Sequence, residues 1–195
     1  KIFAPFWGHD RRWRGRRTPR PREVEALLGP VLGVSPGVRE HGRAVAQVAL
    51  ALGQALLAAG AEMDLALLEA AALCHDLSKG QPDHAGAGAE VLRQWGWDPV
   101  AMAVETHMDI SPAAQGPPSV AEVLYLADKL VEGRRLVGLE ERFAAKLARH
   151  GADPVLAKAI QTRWHNASII AARLEQACGL PLGSITEPQE QQSDY

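Results

Sequence analysis

From Pro21 to Cys178, apolar residues recur at three- and four-residue intervals, the period of helices that bury one face. The pattern predicts a short helix from Arg22 to Leu28, closed by Gly29-Pro30. A long helix follows from Val38 to Ala59, with Val45, Val48, Leu52 and Leu56 on one stripe and Gly60 as its stop. His41 lies on that stripe. A third helix, from about Asp64 to Leu77, turns Leu65, Leu68 and Ala72 inward, and His75 extends that face by one turn. Gly80-Gln81-Pro82 breaks the chain. Asp83 caps a helix to Trp95 whose inward positions are His84, Gly88, Val91 and Trp95. Asp98-Pro99 reads as cap and first residue of a helix that spaces Val100, Val104 and His107 on one face. After a Pro/Gly loop from Ser111 to Pro118, Ser119 and Glu122 form a capping box. The helix it opens carries Val120, Leu124, Asp128 and Val131. Two more amphipathic helices run from Leu139 to Arg149 and from Asp153-Pro154 to Cys178, the second ended by Gly179. No strand, internal repeat or heptad run is visible. The expected fold class is all-α, a bundle of about six to eight helices.

Composition adds boundaries. Hydrophobic residues make up 47% of the 195, enough for one sizeable core. Residues 1–22 carry Lys1, Arg11, Arg12, Arg14, Arg16, Arg17, Arg20 and Arg22 against the single acid Asp10, so the net charge of −2 conceals a basic arm before an acidic body. The arm has no helical or strand period. Trp7 and Trp13 stand among its basic residues, a mixture that can grip nucleic acid. No nucleic-acid motif accompanies it, and an interdomain linker or an arm folded on the acidic body is the favoured reading. The expected organisation is a basic arm or linker over 1–22, a helical bundle over 23–180 and a polar, disordered tail over 181–195. The first residue is Lys1, not Met, which admits a fused or neighbouring domain on the N-terminal side. No run of 18 apolar residues predicts a membrane span. Two isolated cysteines, Cys74 and Cys178, make no disulfide framework, and the expected location is cytoplasmic. Cys74 is expected to be a small buried core residue.

The candidate chemistry lies in His41, His75-Asp76, His84, His107 and Asp128. Any one of these histidines alone is more often a hydrogen-bonded core residue. Asp128 is less easily explained, because a carboxylate among apolar helical turns needs a cation or strong donors. Together the residues place imidazole nitrogens and carboxylate oxygens on or beside the apolar faces of five helices. That donor mixture suits Mn, Fe, Ni, Co or Zn. The adjacent pair His75 and Asp76 points about 100° apart on a helix, so a kink or helix end can present both to one site. His9 and His150 lie in polar surroundings, and His165 is ambiguous.

In order and spacing, His41, His75-Asp76 and Asp128 resemble the H…HD…D signature of the HD-domain phosphohydrolases. Leu73-Cys74-His75-Asp76-Leu77-Ser78-Lys79-Gly80 resembles the HD-x-x-K stretch of that family. His84-Ala85-Gly86-Ala87-Gly88-Ala89 and His107 resemble segments of its two-metal members. Tyr125-Leu126-Ala127-Asp128-Lys129-Leu130, with Arg134-Arg135 after it, resembles its closing A-D-K segment. The resemblance covers about residues 38–137. Within the superfamily it is nearest in look to the small bacterial group that includes symmetrical diadenosine-tetraphosphate hydrolases. Thr106-His107-Met108-Asp109 departs from the H-T-x-G continuation of that group, and the G-Y-P segment of cyclic-dinucleotide phosphodiesterases is absent.

The resemblance implies an HD-domain helical bundle that hydrolyses a nucleotide or other phosphate ester or anhydride. It implies one or two divalent or ferric transition-metal ions. His41, His75, Asp76 and Asp128 would hold the first; Asp76, His84 and His107 would hold the second. Asp76 would bridge them, and metal-activated water would attack phosphorus. Lys79, with Arg134 or Arg135, would neutralise phosphate charge. Another reading is an HD-fold module that binds a nucleotide or a partner and regulates a neighbouring domain with little turnover. Nucleic acid and membrane are not expected partners.

Overall fold

Side-chain caps set where four of the helices begin. The structure, a computed structural model, describes residues 18–186. Helix α1 covers Pro21–Ala26, α2 Pro36–Ala58, α3 Leu65–Cys74, α4 His84–Gln94 and α5 Asp98–Glu105. Helix α6 covers Val120–Lys129, α7 Leu139–His150, α8 Pro154–Cys178 and α9 Leu182–Thr186. Asp64, Asp83 and Asp153 each accept a backbone N–H of the first turn that follows. Ser119 and Glu122 close the expected capping box on α6. Gly179 ends α8 at φ 66°, the left-handed conformation that glycine adopts most cheaply. These elements make the all-α architecture expected from the sequence.

Several local expectations change. Gly29-Pro30 does not end the first helix. Pro30 brings no N–H, and the chain widens into a π-helical turn over Leu27–Val31, with Leu32 N–H donating to Leu27 O at 2.9 Å. That turn keeps Leu27 and Leu28 buried. Asp98 is the first helical residue of α5 and Trp97 its cap, one residue earlier than expected. The buried stripe of α4 is Ala85, Gly88, Ala89 and Leu92, rotated from the expected one. A two-residue antiparallel ladder also forms, β1 (Val131–Glu132) with β2 (Arg135–Leu136). The segment expected as a tail opens with α9, which packs on α2 and α8. The basic arm to Arg17, including His9, Trp7 and Trp13, and the residues after Thr186 lie outside the described region.

Helix α2 is the axis of the bundle. It packs on α3, α6, α8 and α9; α4 pairs with α5, and α7 with α8. Leu52 and Leu56 of α2, Leu68 of α3, Leu92 of α4, Leu124 and Leu126 of α6, and Ile170 and Leu174 of α8 are fully buried in one core. At about 1.5–3 kcal/mol for each large apolar side chain, this burial is the main driving force of the fold. Helix α3 is apolar nearly all round, and Ala70, Ala71 and Ala72 let its neighbours come close. One approach sets up the site. A Cβ on Gly42 would sit 2.9 Å from the Leu73 carbonyl oxygen, so only glycine lets α2 cross the end of α3 there. That crossing brings His41 beside His75.

A buried ion pair fixes the loop that follows the last histidine of the site. Arg173 of α8 pairs with Glu122 of α6 and donates to the carbonyls of Gly116 at 2.9 Å and Pro117 at 3.1 Å. Glu122 also accepts from Ala113 N–H at 2.9 Å and Ser119 N–H at 2.8 Å. Among the described residues no helix is long and apolar enough to cross a membrane.

Candidate metal centre

Five chain segments end or cross at one point. Helix α3 stops at Cys74, and His75 and Asp76 occupy the turn that follows it. The helix end therefore presents both to one centre. His41 comes from the first turns of α2, His84 from the first residue of α4, His107 from just past α5, and Asp128 from the last turn of α6. His41, His75, Asp76, His107 and Asp128 are buried, and His84 is half-buried.

The backbone aims the imidazoles. Nδ1 of His75 donates to Ala72 O at 2.8 Å, and Nδ1 of His107 to Val104 O at 2.7 Å. Nδ1 of His41 donates to Gly133 O at 2.7 Å. A ring nitrogen that donates to a carbonyl carries the proton, so in the neutral ring each Nε2 faces the centre with its lone pair; His41 Nε2 donates to Asp128 Oδ1, 3.3 Å away, only when that ring is protonated. Gly133 supplies its carbonyl from the β1–β2 turn at φ 62°. The rings form a chain, with His41–His75, His75–His107 and His84–His107 centroids 5.1–5.2 Å apart.

The two oxygens of Asp76 face different partners. Oδ2 lies 3.9 Å from His41 Nε2 and 3.6 Å from His75 Nε2. Oδ1 lies 3.3 Å from His84 Nε2 and 3.8 Å from His107 Nε2. Asp128 Oδ1 joins the first group, 3.3 Å from His41 Nε2 and 3.7 Å from His75 Nε2. Two donor sets thus share one carboxylate: His41, His75 and Asp76, and Asp76, His84 and His107, with donor atoms in each set within 4.8 Å of one another.

Electrostatics keep His75, His84, Asp76 and Asp128 in metal-binding form. Burial pushes His75 down to about 4, against the pull of Asp128 and Asp76. Burial and His107 also lower His84. Burial opposes ionisation of Asp76, but His107, His75 and Lys79 hold its carboxyl well below the usual range. Burial is likewise outweighed at Asp128, by Lys129 and His41. His41 is raised: burial lowers it, but the hydrogen bond to Asp128 and that to Gly133 prevail. This leaves two carboxylates facing a group of imidazoles in which burial keeps His75 and His84 unprotonated, a set suited to a divalent transition metal. A second observation tests the fit. The Nε2 atoms of His75 and His107 are buried without a hydrogen-bond partner. Orphaned buried polar atoms are costly, and a cation bound in each donor set would satisfy the one that belongs to it.

Cations surround the cluster. Lys79 Nζ lies 2.5 Å from Asp76 Oδ2, with its side chain 53% exposed at the mouth. Lys129 is buried and donates to Asp128 Oδ2 at 2.7 Å and His107 O at 3.0 Å. Arg142 donates to Asp128 O at 2.8 Å and to Val131 O, tying down the end of α6. A cavity of about 550 Å³ opens beside His41, Asp76, His84 and Asp128 and extends to Arg142, Lys146 and Arg163.

Arg134 and Arg135 are not brought to that cavity. They lie in and just after the β1–β2 turn, largely exposed, with Arg134 on Glu40 at 3.2 Å and Arg135 on Glu141 at 3.0 Å. The turn carries their side chains outward while sending the Gly133 carbonyl inward. The arginines beside the cluster are instead Arg142 and Arg163, whose helices give no sequence signal that they face it. Lys129 was legible as the neighbour of Asp128, but its burial was not. Cys74 is a fully buried core residue whose thiol burial pushes up; His150 and His165 are exposed.

The family model described as HD domain matches residues 38–133, a span containing His41, His75, Asp76, Lys79, His84, His107 and Asp128. No curated protein and no solved structure matches the chain.

Proposed function

We propose, from the match of residues 38–133 to the HD domain family model, that the protein is a metal-dependent phosphohydrolase acting on a nucleotide or another phosphate ester or anhydride. The observation that carries the reading is the division of Asp76, one oxygen toward His41 and His75 and the other toward His84 and His107. His41, His75, Asp76 and Asp128 would hold one ion, and Asp76, His84 and His107 a second. Iron, manganese, nickel, cobalt and zinc all accept this donor set. Bound ions would supply a Lewis acid that lowers the pKa of the attacking water and offsets phosphoryl charge.

The protein's own groups do the rest. The Ala72, Val104 and Gly133 carbonyls hold three imidazoles in one tautomer. Lys129 and Arg142 fix Asp128 and its helix end. Lys79 neutralises Asp76, and its half-exposed chain leaves it free to turn toward a phosphate oxygen. The likeness to symmetrical diadenosine-tetraphosphate hydrolases makes that dinucleotide the first substrate to try.

The test is elemental analysis of protein purified anaerobically with Mn²⁺ or Fe²⁺, followed by a nucleotide panel and a phosphomonoester. One or two ions per chain and metal-dependent phosphate release are expected. Absence of any bound metal would sink the reading. Full metal occupancy with no turnover on any phosphate substrate would favour a regulatory HD module.

A further inference from the structure

We propose that Lys146, with Arg163 beside it, forms an anion subsite that holds a second phosphoryl group of the substrate while the first lies at the His/Asp cluster. The inference rests on the phosphohydrolase reading and concerns residues outside the matched HD segment. The same cavity takes in His41, Asp76, His84 and Asp128 from the cluster, and Lys146 and Arg163 from α7 and α8.

An aromatic stack brings these two cations to one wall. Phe143 of α7 and Trp164 of α8 stack with centroids 6.0 Å apart and planes 7° from parallel. Arg163 adjoins Trp164 in sequence, and Lys146 lies one turn beyond Phe143, its Nζ 5.9 Å from that ring. The stack is at the core edge, with Phe143 fully buried, so the helix pair holds its polar neighbours in fixed register.

The nearby cations differ in what they have left to give. Lys129 and Arg142 are spent on Asp128, His107 O and Val131 O. Arg163 is oriented by a two-bond pair with Asp109, Nε and Nη2 each at 2.8 Å, and its Nη1 points to no described partner. Lys146 has no carboxylate partner among the described residues. It is half-buried, and most of the charges that act on it are positive: Arg142, Lys129 and Arg163, against Asp128. Burial and those cations push it down to about 8, so it remains mostly charged at neutral pH. A half-buried ammonium without a counter-ion is unfavourable by itself. It becomes favourable when an anion enters the cavity. A single phosphate at the cluster leaves this wall unmatched, whereas a substrate with two linked phosphoryl groups matches both ends.

The test compares methylenediphosphonate with methylphosphonate, two non-hydrolysable probes, by titration calorimetry on the full chain with Mn²⁺ in excess. Wild type should prefer the diphosphonate. Lys146→Met keeps the apolar stem on Phe143 and should cut that preference roughly tenfold or more, the value of one charge-assisted hydrogen bond. Lys146→Arg should retain it. If Lys146→Met fails to fold, Arg163→Gln makes the same comparison. An unchanged preference in the folded variant, or equal weakening of both probes, overturns the subsite. Metal content is measured on the same samples. No metal overturns the phosphohydrolase reading and the subsite with it. Metal with phosphonate binding but no dependence on Lys146 overturns the subsite alone.

Discussion

Asp76→Asn should remove most of the stability that metal confers, because both donor sets use this one carboxylate. Each oxygen faces two imidazole Nε2 atoms at 3.3–3.9 Å. With free metal at about a thousand times Kd, each ion would stabilise the fold by about 4 kcal/mol, or about 8 for two. Loss of an outer partner weakens metal binding about 10–100-fold, and loss of a direct ligand costs at least as much. A hundredfold weaker site at the same metal concentration retains only about 1.4 kcal/mol. The variant should therefore lose roughly 5 kcal/mol of metal-linked stability over two ions. For a chain of this size, about 2–4 °C accompanies each kcal/mol, so the metal-induced rise in Tm should shrink by roughly 10–20 °C. Differential scanning calorimetry of metal-free and Mn²⁺-loaded samples reads this directly. The amide is nearly isosteric, so the metal-free variant should still unfold cooperatively. An equal metal-induced rise in Asp76→Asn and wild type would refute the shared-carboxylate arrangement.

His84→Ala touches only the second donor set, so metal titration should show half the wild-type stoichiometry; equal stoichiometry would leave a single-ion site. In metal-free protein, His75 is held neutral in the fold at a pKa lowered to about 4, against 6.5 unfolded. The unfolded chain then binds more protons between those values, and stability should fall as pH drops from about 6.5 to 4, by up to about 3 kcal/mol from this residue. His84 acts in the same sense, and the raised His41 opposes it; a urea midpoint that rises on acidification through this window would contradict the burial argument. Arg173→Met leaves Glu122 buried without its cation and should cost about 3–5 kcal/mol, seen as a lower urea midpoint. Adding Glu122→Gln should recover part of that loss, because the uncompensated charge is gone; no recovery would mean that the carbonyl contacts of Arg173 dominate. Deleting residues 1–17 should leave the helical body folded, with a Tm close to that of the full chain; a large drop would show that Trp7 or Trp13 packs into the core.

The sequence by itself determined the helices and the donor residues. Period and caps are local: Asp64, Asp83, Asp153 and the Ser119–Glu122 box act within a few residues, so their effect is readable in one dimension. The members of the candidate site are equally legible, because His75-Asp76 and Asp128 have few inexpensive roles among apolar turns. Tertiary structure decided what each donor faces. The crossing at Gly42 sets His41 against His75, over a sequence separation that no periodicity encodes. The turn after α6 sends Gly133 inward and Arg134 and Arg135 outward, which adjacency to Asp128 could not reveal. Lys146 and Arg163 sit on amphipathic helices like other polar residues. Only the packing of Phe143 on Trp164 turns them toward the cluster, because side-chain direction between helices is set by their crossing and not by either sequence alone.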